Sequence, residues 1–309
     1  MRNFRTLACA ILILVLTACA VGSALAAEGV FSIVCTSFPC YDAARAVAGD
    51  RADIQLLIKP GAEVHSFEPT PSDIMTLADC DLFVYVGGES DAWVTDILSS
   101  FGSDAPRTLR FFDCVEGIEA EHDHGAEHAD HDEVEYDEHI WTSPVNACAM
   151  VNAVADALCE IDPVNEVLYR GNAQNYVSEI EALDAQIREV VANAARREVI
   201  FADRFPLLYF AEEYGLDWFA AFPSCSSESE PSAKTIAALI DKVVMDKIPV
   251  IYVLELSNGR TAQAISAETG TQVRTFYSMQ NVTESDFSAG ETYVALMERN
   301  IAVLQEGLN

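Results

Sequence analysis

Short apolar runs alternate with helical patterns along the first third of the chain. Four such runs predict strands, at residues 30–38, 52–58, 81–86 and 108–114. Helical spacing between them predicts helices at residues 41–48, about 71–78 and 92–101. Strands that alternate with helices in this way indicate an α/β fold with a mostly parallel sheet.

A second series of the same kind follows in the C-terminal part. Its predicted strands lie at residues 199–202, 218–222, 250–255 and 273–276, and its predicted helices at residues 206–214, 233–245, 261–269 and 292–308. The sequence therefore predicts two α/β lobes, each with a mostly parallel four-stranded sheet flanked by helices. The first lobe is expected at residues 28–161 and the second at residues 198–309.

One long helical pattern lies between the two series, at residues 162–197. Asp162 suits an N-cap, and Pro163 suits the first turn of a helix. A single helix of this length would extend over roughly 50 Å at about 1.5 Å per residue. Such a helix would join the lobes rigidly. Two helices with a kink near Gly171 are the alternative.

Composition and charge narrow the functional class. The chain has 309 residues, half of them hydrophobic, which suits two folded domains. Its 49 acidic and 18 basic residues give a formal net charge of −31. Such a surface repels phosphate groups, which argues against nucleic acid as a partner, and it attracts cations. We expect a monomer.

The N-terminus has the pattern of an export signal, predicted for residues 1–27. Arg2 and Arg5 form a short basic start, and an apolar run follows at residues 7–16. That run is too short to span a bilayer as a permanent helix. The sequence therefore predicts an extracytoplasmic protein.

Two processing sites compete after the apolar run. Residues 16–19 read LTAC, which resembles a bacterial lipobox and predicts a lipid anchor on Cys19. An ordinary cleavage site at Ala26 and Ala27 is the alternative. The lipobox predicts a protein tethered to the cell membrane, whereas the second site predicts a periplasmic one.

The chain has six histidines, and they carry its clearest chemical signal. His65 follows the second predicted strand, and His139 follows an acidic tract at residues 119–138. Neutral imidazole is the commonest metal ligand and suits zinc, copper, iron and nickel. Ligands of α/β sheets bind beyond the carboxyl ends of the strands, where His65 is expected. The sequence therefore predicts a metal site that includes His65 and His139.

The acidic tract has a composition of its own. It contains ten acidic residues, four histidines and no lysine or arginine, so a loop is predicted. Its histidines are predicted to be auxiliary metal ligands: His122, His124, His128 and His131.

Three stretches resemble one known family. They read GAEVHSFEPTPSD at residues 61–73, DLFVYVGG at residues 81–88 and DEHIWTSP at residues 137–144. The chain is similar from about residue 30 onward to the cluster A-I metal-binding lipoproteins, the substrate-binding components of zinc and manganese ABC transporters. The resemblance implies a metal between two lobes joined by one long helix, with the transporter permease and its ATPase as partners. The histidine-rich acidic tract is typical of zinc-type members.

The resemblance also implies a third ligand in the stretch FADRFPLLYFAEEYG, at residues 201–215. The family has a His or Glu near this point, but no histidine is available here. Asp203 is the best substitute, because a carboxylate can bind zinc. The alternative is that Asp203 caps the following helix or pairs with Arg204.

The fourth ligand of the family is usually an Asp near the end of a late strand. The matching stretch FYSM, at residues 276–279, has no carboxylate. Glu255 is the nearest candidate, with Glu228 and Glu230 as weaker ones. The alternative for Glu255 is a contact with a helix N-terminus or with Arg260.

The resemblance predicts a binding protein that captures Zn²⁺ in the cleft between the lobes and delivers it to the permease. A manganese-binding member of the family is the main alternative, although manganese would prefer more oxygen ligands. A surface adhesin with a structural metal and a zinc hydrolase are further alternatives. The chain lacks the HExxH, GxSxG and Walker A motifs, which argues against catalysis.

Overall fold

A computed structural model describes residues 30–120, 136–222 and 231–309. Ser32–Asn309 form one compact unit. No helix in the described ranges is long and apolar enough to cross a membrane. Several sequence predictions lie outside the described residues: the signal at residues 1–27 with Cys19, the candidate ligands Glu228 and Glu230, and the four histidines of the acidic tract.

The first lobe contains one four-stranded sheet. Its strands are β1 (Phe31–Cys35), β2 (Ala52–Leu56), β3 (Leu82–Tyr85) and β4 (Arg107–Arg110). They lie in the order β2-β1-β3-β4, and the pairs β1–β3 and β3–β4 are parallel. The helices of this lobe are α1 (Phe38–Ala48), α2 (Pro71–Asp79), α3 (Ala92–Phe101) and α4 (Pro144–Ile161).

The fourth strand of this sheet is shorter than predicted. It ends at Arg110, and a 3₁₀ turn at Phe111–Cys114 replaces the predicted continuation. The turn buries the Phe111 ring, and the backbone N–H of Phe112 donates to Val86 O at 3.0 Å. The apolar residues here thus belong to a buried turn. A run of hydrophobic residues in the sequence does not distinguish such a turn from a strand.

The second lobe repeats the architecture. Its strands are β5 (Glu198–Arg204), β6 (Asp217–Phe222), β7 (Val250–Leu254) and β8 (Gln272–Phe276), in the order β6-β5-β7-β8 with all three pairs parallel. Its helices are α6 (Leu208–Tyr214), α7 (Ala233–Met245), α8 (Arg260–Thr269), α9 (Glu284–Ala289) and α10 (Tyr293–Leu308). Because parallel strands end at the same edge, the loops after β7 and β8 lie together.

The long helix α5 (Glu166–Ala192) has 27 residues, fewer than the predicted span of residues 162–197. A separate 3₁₀ turn at Pro163–Asn165 precedes it, and the helix is continuous through Gly171. Asp162 does not cap α5. Its carboxylate accepts a hydrogen bond from the Tyr169 hydroxyl at 2.6 Å.

Helix α5 packs against helices of both lobes. Its neighbours are α1 and α4 from the first lobe and α10 from the second. The buried positions recur every three or four residues: Tyr169, Ala173, Tyr176, Ile180, Leu183, Ile187 and Val191. This is the spacing of a helix with one apolar face, so both lobes bury the same stripe of α5.

The sequence leaves the pairing of its nine cysteines open. The cysteines in the described ranges are free thiols, and Cys35 and Cys40 are fully buried. Burial raises the pKa of Cys40 to about 12, so this thiol stays protonated at neutral pH. Cys40 therefore behaves as a small apolar core residue rather than as a reactive group.

Candidate metal centre

His65 lies in the loop between β2 and α2, beyond the carboxyl end of β2. The second lobe holds this loop in place. The side-chain amide of Asn281, from the loop after β8, donates to Lys59 O at 2.8 Å and to Ala62 O at 2.9 Å. The position of His65 therefore depends on contacts between the lobes as well as on its own strand.

Ser90 joins His65 to Glu138, a carboxylate that is 2 % exposed. The Ser90 N–H donates to Glu138 Oε2 at 2.7 Å, and the Ser90 hydroxyl donates to Glu138 Oε1. The same hydroxyl oxygen lies 2.9 Å from His65 Nδ1. Because its single proton goes to Glu138, the hydroxyl accepts from Nδ1–H of His65. The lone pair of His65 is then on Nε2, where a metal can bind it.

Gly88 makes room for Glu138 at the end of β3. A Cβ atom on Gly88 would lie 2.1 Å from Glu138 Cβ and 2.5 Å from its Oε2. Both distances are far below van der Waals contact, so a larger residue at position 88 would push Glu138 out of its place. The glycine after this strand is thus part of the site.

His139 is fully buried just before the 3₁₀ turn at Ile140–Thr142. Its Nδ1 lies 3.0 Å from Asp137 Oδ1, which also accepts the His139 backbone N–H at 2.9 Å. Its Nε2 is buried and has no hydrogen-bond partner within the described residues. A carboxylate on one nitrogen and a free lone pair on the other is the arrangement of a metal-ligating histidine.

The structure brings three ligand side chains together: His65, Glu138 and His139. One ligand atom from each lies within 4.8 Å of the other two, and the two imidazole centroids are 5.9 Å apart. Two nitrogens and one carboxylate oxygen match the ligand types that zinc accepts, and a tetrahedral ion would keep one position open. The buried Nε2 of His139, which has no hydrogen-bond partner among the described residues, is compatible with such an ion.

The two imidazoles differ in how readily they take up a proton. Burial opposes a charge on His139, but Asp137 and Glu138 outweigh it and raise its pKa above the ordinary value. For His65 burial is the larger effect, and it lowers the pKa although Glu138 opposes it. At neutral pH His65 is therefore neutral, whereas His139 binds protons more tightly than an ordinary histidine.

Asp203 lies in β5 and does not belong to this group. Its Oδ1 accepts the backbone N–H of Arg204 at 2.9 Å, and its Oδ2 accepts that of Leu254 at 3.3 Å. It lines a cavity of about 270 Å³ together with His65 and Glu255. Asp203 is absent from the group of ligand atoms that lie within 4.8 Å of one another, and both of its oxygens bond to neighbouring backbone.

Glu255 is also outside the group. One carboxylate oxygen accepts the Ser278 N–H at 2.9 Å, and the other accepts the Ser278 hydroxyl at 2.9 Å and the Met279 N–H at 2.8 Å. Burial raises its pKa, against the effect of these donors. Glu255 holds the loop after β8, and neither a helix N-terminus nor Arg260 is the partner found here.

Sequence reasoning missed Glu138 and Gln280. The side-chain amide of Gln280 donates to Glu138 Oε1 at 3.2 Å, so the second lobe reaches the site through this residue. Glu138 stands beside His139 in the stretch that carries the family resemblance, which was a usable signal. Nothing in the sequence pattern marked Gln280, which follows a non-glycine residue, Met279, with a φ of 60°.

Comparisons with known proteins decide the family. The family model described as "Zinc-uptake complex component A periplasmic" (ZnuA) matches residues 33–307 of this chain. The chain belongs to the ZnuA family. The resemblance inferred from residues 61–73 and 137–144 is thereby confirmed. The description of the ZnuA family names an uptake component and no enzyme.

Individual members of the ZnuA family are similar in sequence to this chain. The zinc-binding lipoprotein AdcA of Streptococcus pneumoniae is 32 % identical over 91 % of this chain and 56 % of its own length. The chain thus spans about half the length of this relative. The high-affinity zinc uptake system protein ZnuA of Bacillus subtilis is 29 % identical over 93 % of this chain and 90 % of its own.

The fold of the chain agrees with the family assignment as well. The crystal structure of the Zn(II)-bound ZnuA-like domain of S. pneumoniae AdcA superposes with a TM-score of 0.76 at 29 % identity, over 91 % of this chain and 99 % of that domain. The prediction of two α/β lobes with mostly parallel four-stranded sheets is confirmed by the sheets and by this match.

Proposed function

We propose that this protein captures Zn²⁺ outside the cytoplasm and delivers it to the permease of an ABC transporter, whose ATPase drives uptake. The observation that carries the proposal is the fully buried Nε2 of His139, which has no partner among the described residues. Leaving a buried polar atom unpaired costs about 1–3 kcal/mol, and a metal ion bound at Nε2 beside the other two ligands would remove that cost. Membership of the ZnuA family supports zinc as that ligand.

His65, Glu138 and His139 are the ligands in this proposal. Ser90 and Asp137 hold the two rings with Nδ1 protonated, so that each presents Nε2 to the ion. The formal charge of −31 draws cations toward the surface before they reach the site. Asp203 and Glu255 remain sequence predictions as ligands, and the contacts of their oxygens do not favour them.

The donor set favours zinc over manganese. Two imidazole nitrogens and one carboxylate satisfy a four-coordinate zinc ion with one further ligand. Manganese prefers oxygen ligands and a higher coordination number. Zinc is therefore proposed as the transported ion, with the histidines of the acidic tract as auxiliary ligands.

Binding without catalysis is part of the proposal. Glu138, the carboxylate next to the imidazoles, is a ligand of the ion in this proposal and also accepts hydrogen bonds from Ser90 and Gln280, so it is not left over as a general base. Hydrolysis of a model ester by the zinc-loaded protein, abolished in His139→Ala, would contradict this.

The lipid anchor on Cys19 is proposed from the LTAC stretch and from the naming of AdcA as a lipoprotein. In cells that express Cys19→Ala, the protein should leave the membrane fraction and lose incorporation of labelled fatty acid. If the variant stays membrane-bound and labelled, the anchor lies elsewhere.

The zinc site is tested by metal competition on the purified protein. A chromophoric chelator buffers free zinc low enough to leave weak surface sites empty, and Mn²⁺ is titrated in parallel. Wild type should bind one Zn²⁺ more tightly than Mn²⁺, and His139→Ala should bind zinc at least about 100-fold more weakly, because losing a ligand costs more than losing its support.

Asn258→Ala is the matched control. Asn258 lines the same cavity as His65 without belonging to the ligand group, so zinc affinity should not change. A wild-type protein that takes up no zinc, or equal affinities in wild type and His139→Ala, would overturn the proposed function.

A further inference from the structure

The acidic tract enters and leaves the fold at one point. Glu119 and Tyr136 form an antiparallel bridge, and the Asp137 N–H donates to Ile118 O at 2.9 Å. We call residues 117–119 and 136–137 the hairpin base. Gly117 belongs to it, because a Cβ atom there would lie 2.7 Å from the Tyr136 ring.

One hydroxyl from the second lobe binds both segments of the hairpin base. The Ile118 N–H donates to the Tyr209 oxygen at 2.9 Å, and the Tyr209 hydroxyl donates to Asp137 O at 2.9 Å. Tyr209 lies in α6 and is 3 % exposed. The hydroxyl uses its donor and one acceptor position here, so it ties the hairpin base to α6.

Asp137 carries this contact into the metal site. Its backbone oxygen accepts from Tyr209, while its Oδ1 lies 3.0 Å from His139 Nδ1 and accepts the His139 N–H. A shift of the Asp137 backbone would therefore turn the His139 ring. Groups that orient a ligating histidine in this way alter metal affinity when they are removed.

We propose that Tyr209 is a positioning residue for the metal site, which fixes Asp137 and, through it, the orientation of His139. The second lobe thereby sets the geometry of a ligand in the first. The inference rests on the proposed function, since it assumes that His139 binds the zinc ion.

The test is Tyr209→Phe, which removes the hydroxyl and keeps the ring. Zinc affinity should fall about 10-fold, as for other supports of a metal ligand. The absorption spectrum of bound Co²⁺, which reports ligand geometry, should change as well. The thermal midpoint of the metal-free protein should fall too, because Ile118 N–H and Asp137 O lose a buried partner.

Tyr214→Phe is the matched control. Tyr214 lies in the same helix, is 5 % exposed, and its hydroxyl donates to Asp184 at 2.9 Å, away from the ligand group. This variant should lose stability without losing zinc affinity. In Gly117→Ala the added Cβ would press on the Tyr136 ring and displace the hairpin base. This variant should therefore weaken zinc binding as Tyr209→Phe does.

Two results would overturn the inference, and they differ. If Tyr209→Phe lowers the thermal midpoint but keeps the zinc affinity and Co²⁺ spectrum of wild type, Tyr209 is structural only and the proposed function stands. If wild type itself binds no zinc, the proposed function fails and this inference fails with it.

Discussion

The environment of each imidazole decides how it meets a metal ion. His139 is fully buried, with Asp137 at its Nδ1 and no hydrogen-bond partner for its Nε2 among the described residues, whereas His65 is part-exposed at the cavity and bonded to Ser90. Asp137 stabilises the protonated form of His139, but burial disfavours a charge on His65. In the proposed site each ring binds zinc only when its Nε2 is unprotonated, so protons and zinc compete at the two rings with different strength.

Zinc affinity should therefore decrease in two stages as the pH is lowered. The pKa of His139 is raised, so proton competition begins above the ordinary histidine value and weakens binding by about tenfold per pH unit. The pKa of His65 is lowered, so protons compete with zinc at this ring only at lower pH, where they make the loss of zinc affinity steeper. Competition titrations at pH 5.5 to 8, with Asp137→Asn for comparison, measure this.

In Asp137→Asn the carboxylate that raises the pKa of His139 is gone, so the first stage should move to lower pH. An apparent zinc affinity that stays constant over the whole range would contradict the assignment of the two rings as ligands.

At the level of elements, the loops at the carboxyl ends of the parallel strands build the site. β2 leads into the loop of His65, and β3 leads into Gly88 and Ser90. The loop after β8 brings Gln280 to Glu138 and is held by Glu255 at the end of β7. Each strand positions only the start of its loop, so hydrogen bonds between loops complete the geometry.

Glu255→Gln should destabilise the metal-free protein by about 1–3 kcal/mol, because the amide NH₂ would replace one of the two accepting oxygens and face the N–H donor of either Ser278 or Met279. Urea unfolding of the metal-free protein measures this. Glu268→Gln, an exposed change in α8, should stay within about 0.5 kcal/mol of wild type. If Glu255 were a metal ligand instead, its substitution would spare the metal-free protein and weaken zinc binding alone.

At the level of the whole molecule, buried contacts join the two lobes. Asp42 in α1 is 1 % exposed and accepts from the Tyr176 hydroxyl of α5 and from the Tyr293 N–H at the start of α10. The Trp141 indole donates to Ser278 O at 2.8 Å, and the Tyr293 hydroxyl donates to Trp141 O at 3.1 Å. None of these contacts requires a metal ion, so the lobes are held together independently of zinc.

Removal of metal should therefore leave the protein folded. After treatment with a chelator, far-UV circular dichroism should be unchanged, and added zinc should raise the thermal midpoint again. At a free zinc concentration 100 times Kd, mass action gives about 2.7 kcal/mol of extra stability. Unfolding on chelation would instead indicate a structural metal, as in the adhesin alternative.

The pattern of residues along the chain was enough to predict the α/β architecture, the two lobes and the two imidazoles. Periodicity reports which residues face a core, and that property is local, so strands such as β3 and β7 were predicted within one or two residues. His65 and His139 stood out because histidines are few and their flanking stretches resemble one family. The boundaries of α5 were less exact, because capping depends on contacts such as that of Asp162 with Tyr169.

The identity of the carboxylates beside those imidazoles, in contrast, follows from the way the chain folds. Asp203 and Glu255 were chosen for their place at strand ends, but neither lies in the group of ligand atoms within 4.8 Å of one another, and their oxygens hold neighbouring backbone instead. Glu138 lies beside the two imidazoles because Gly88 and Ser90, far from it in sequence, leave space and supply donors. Such contacts depend on how separate loops meet across the sheets, which no local pattern of residues records.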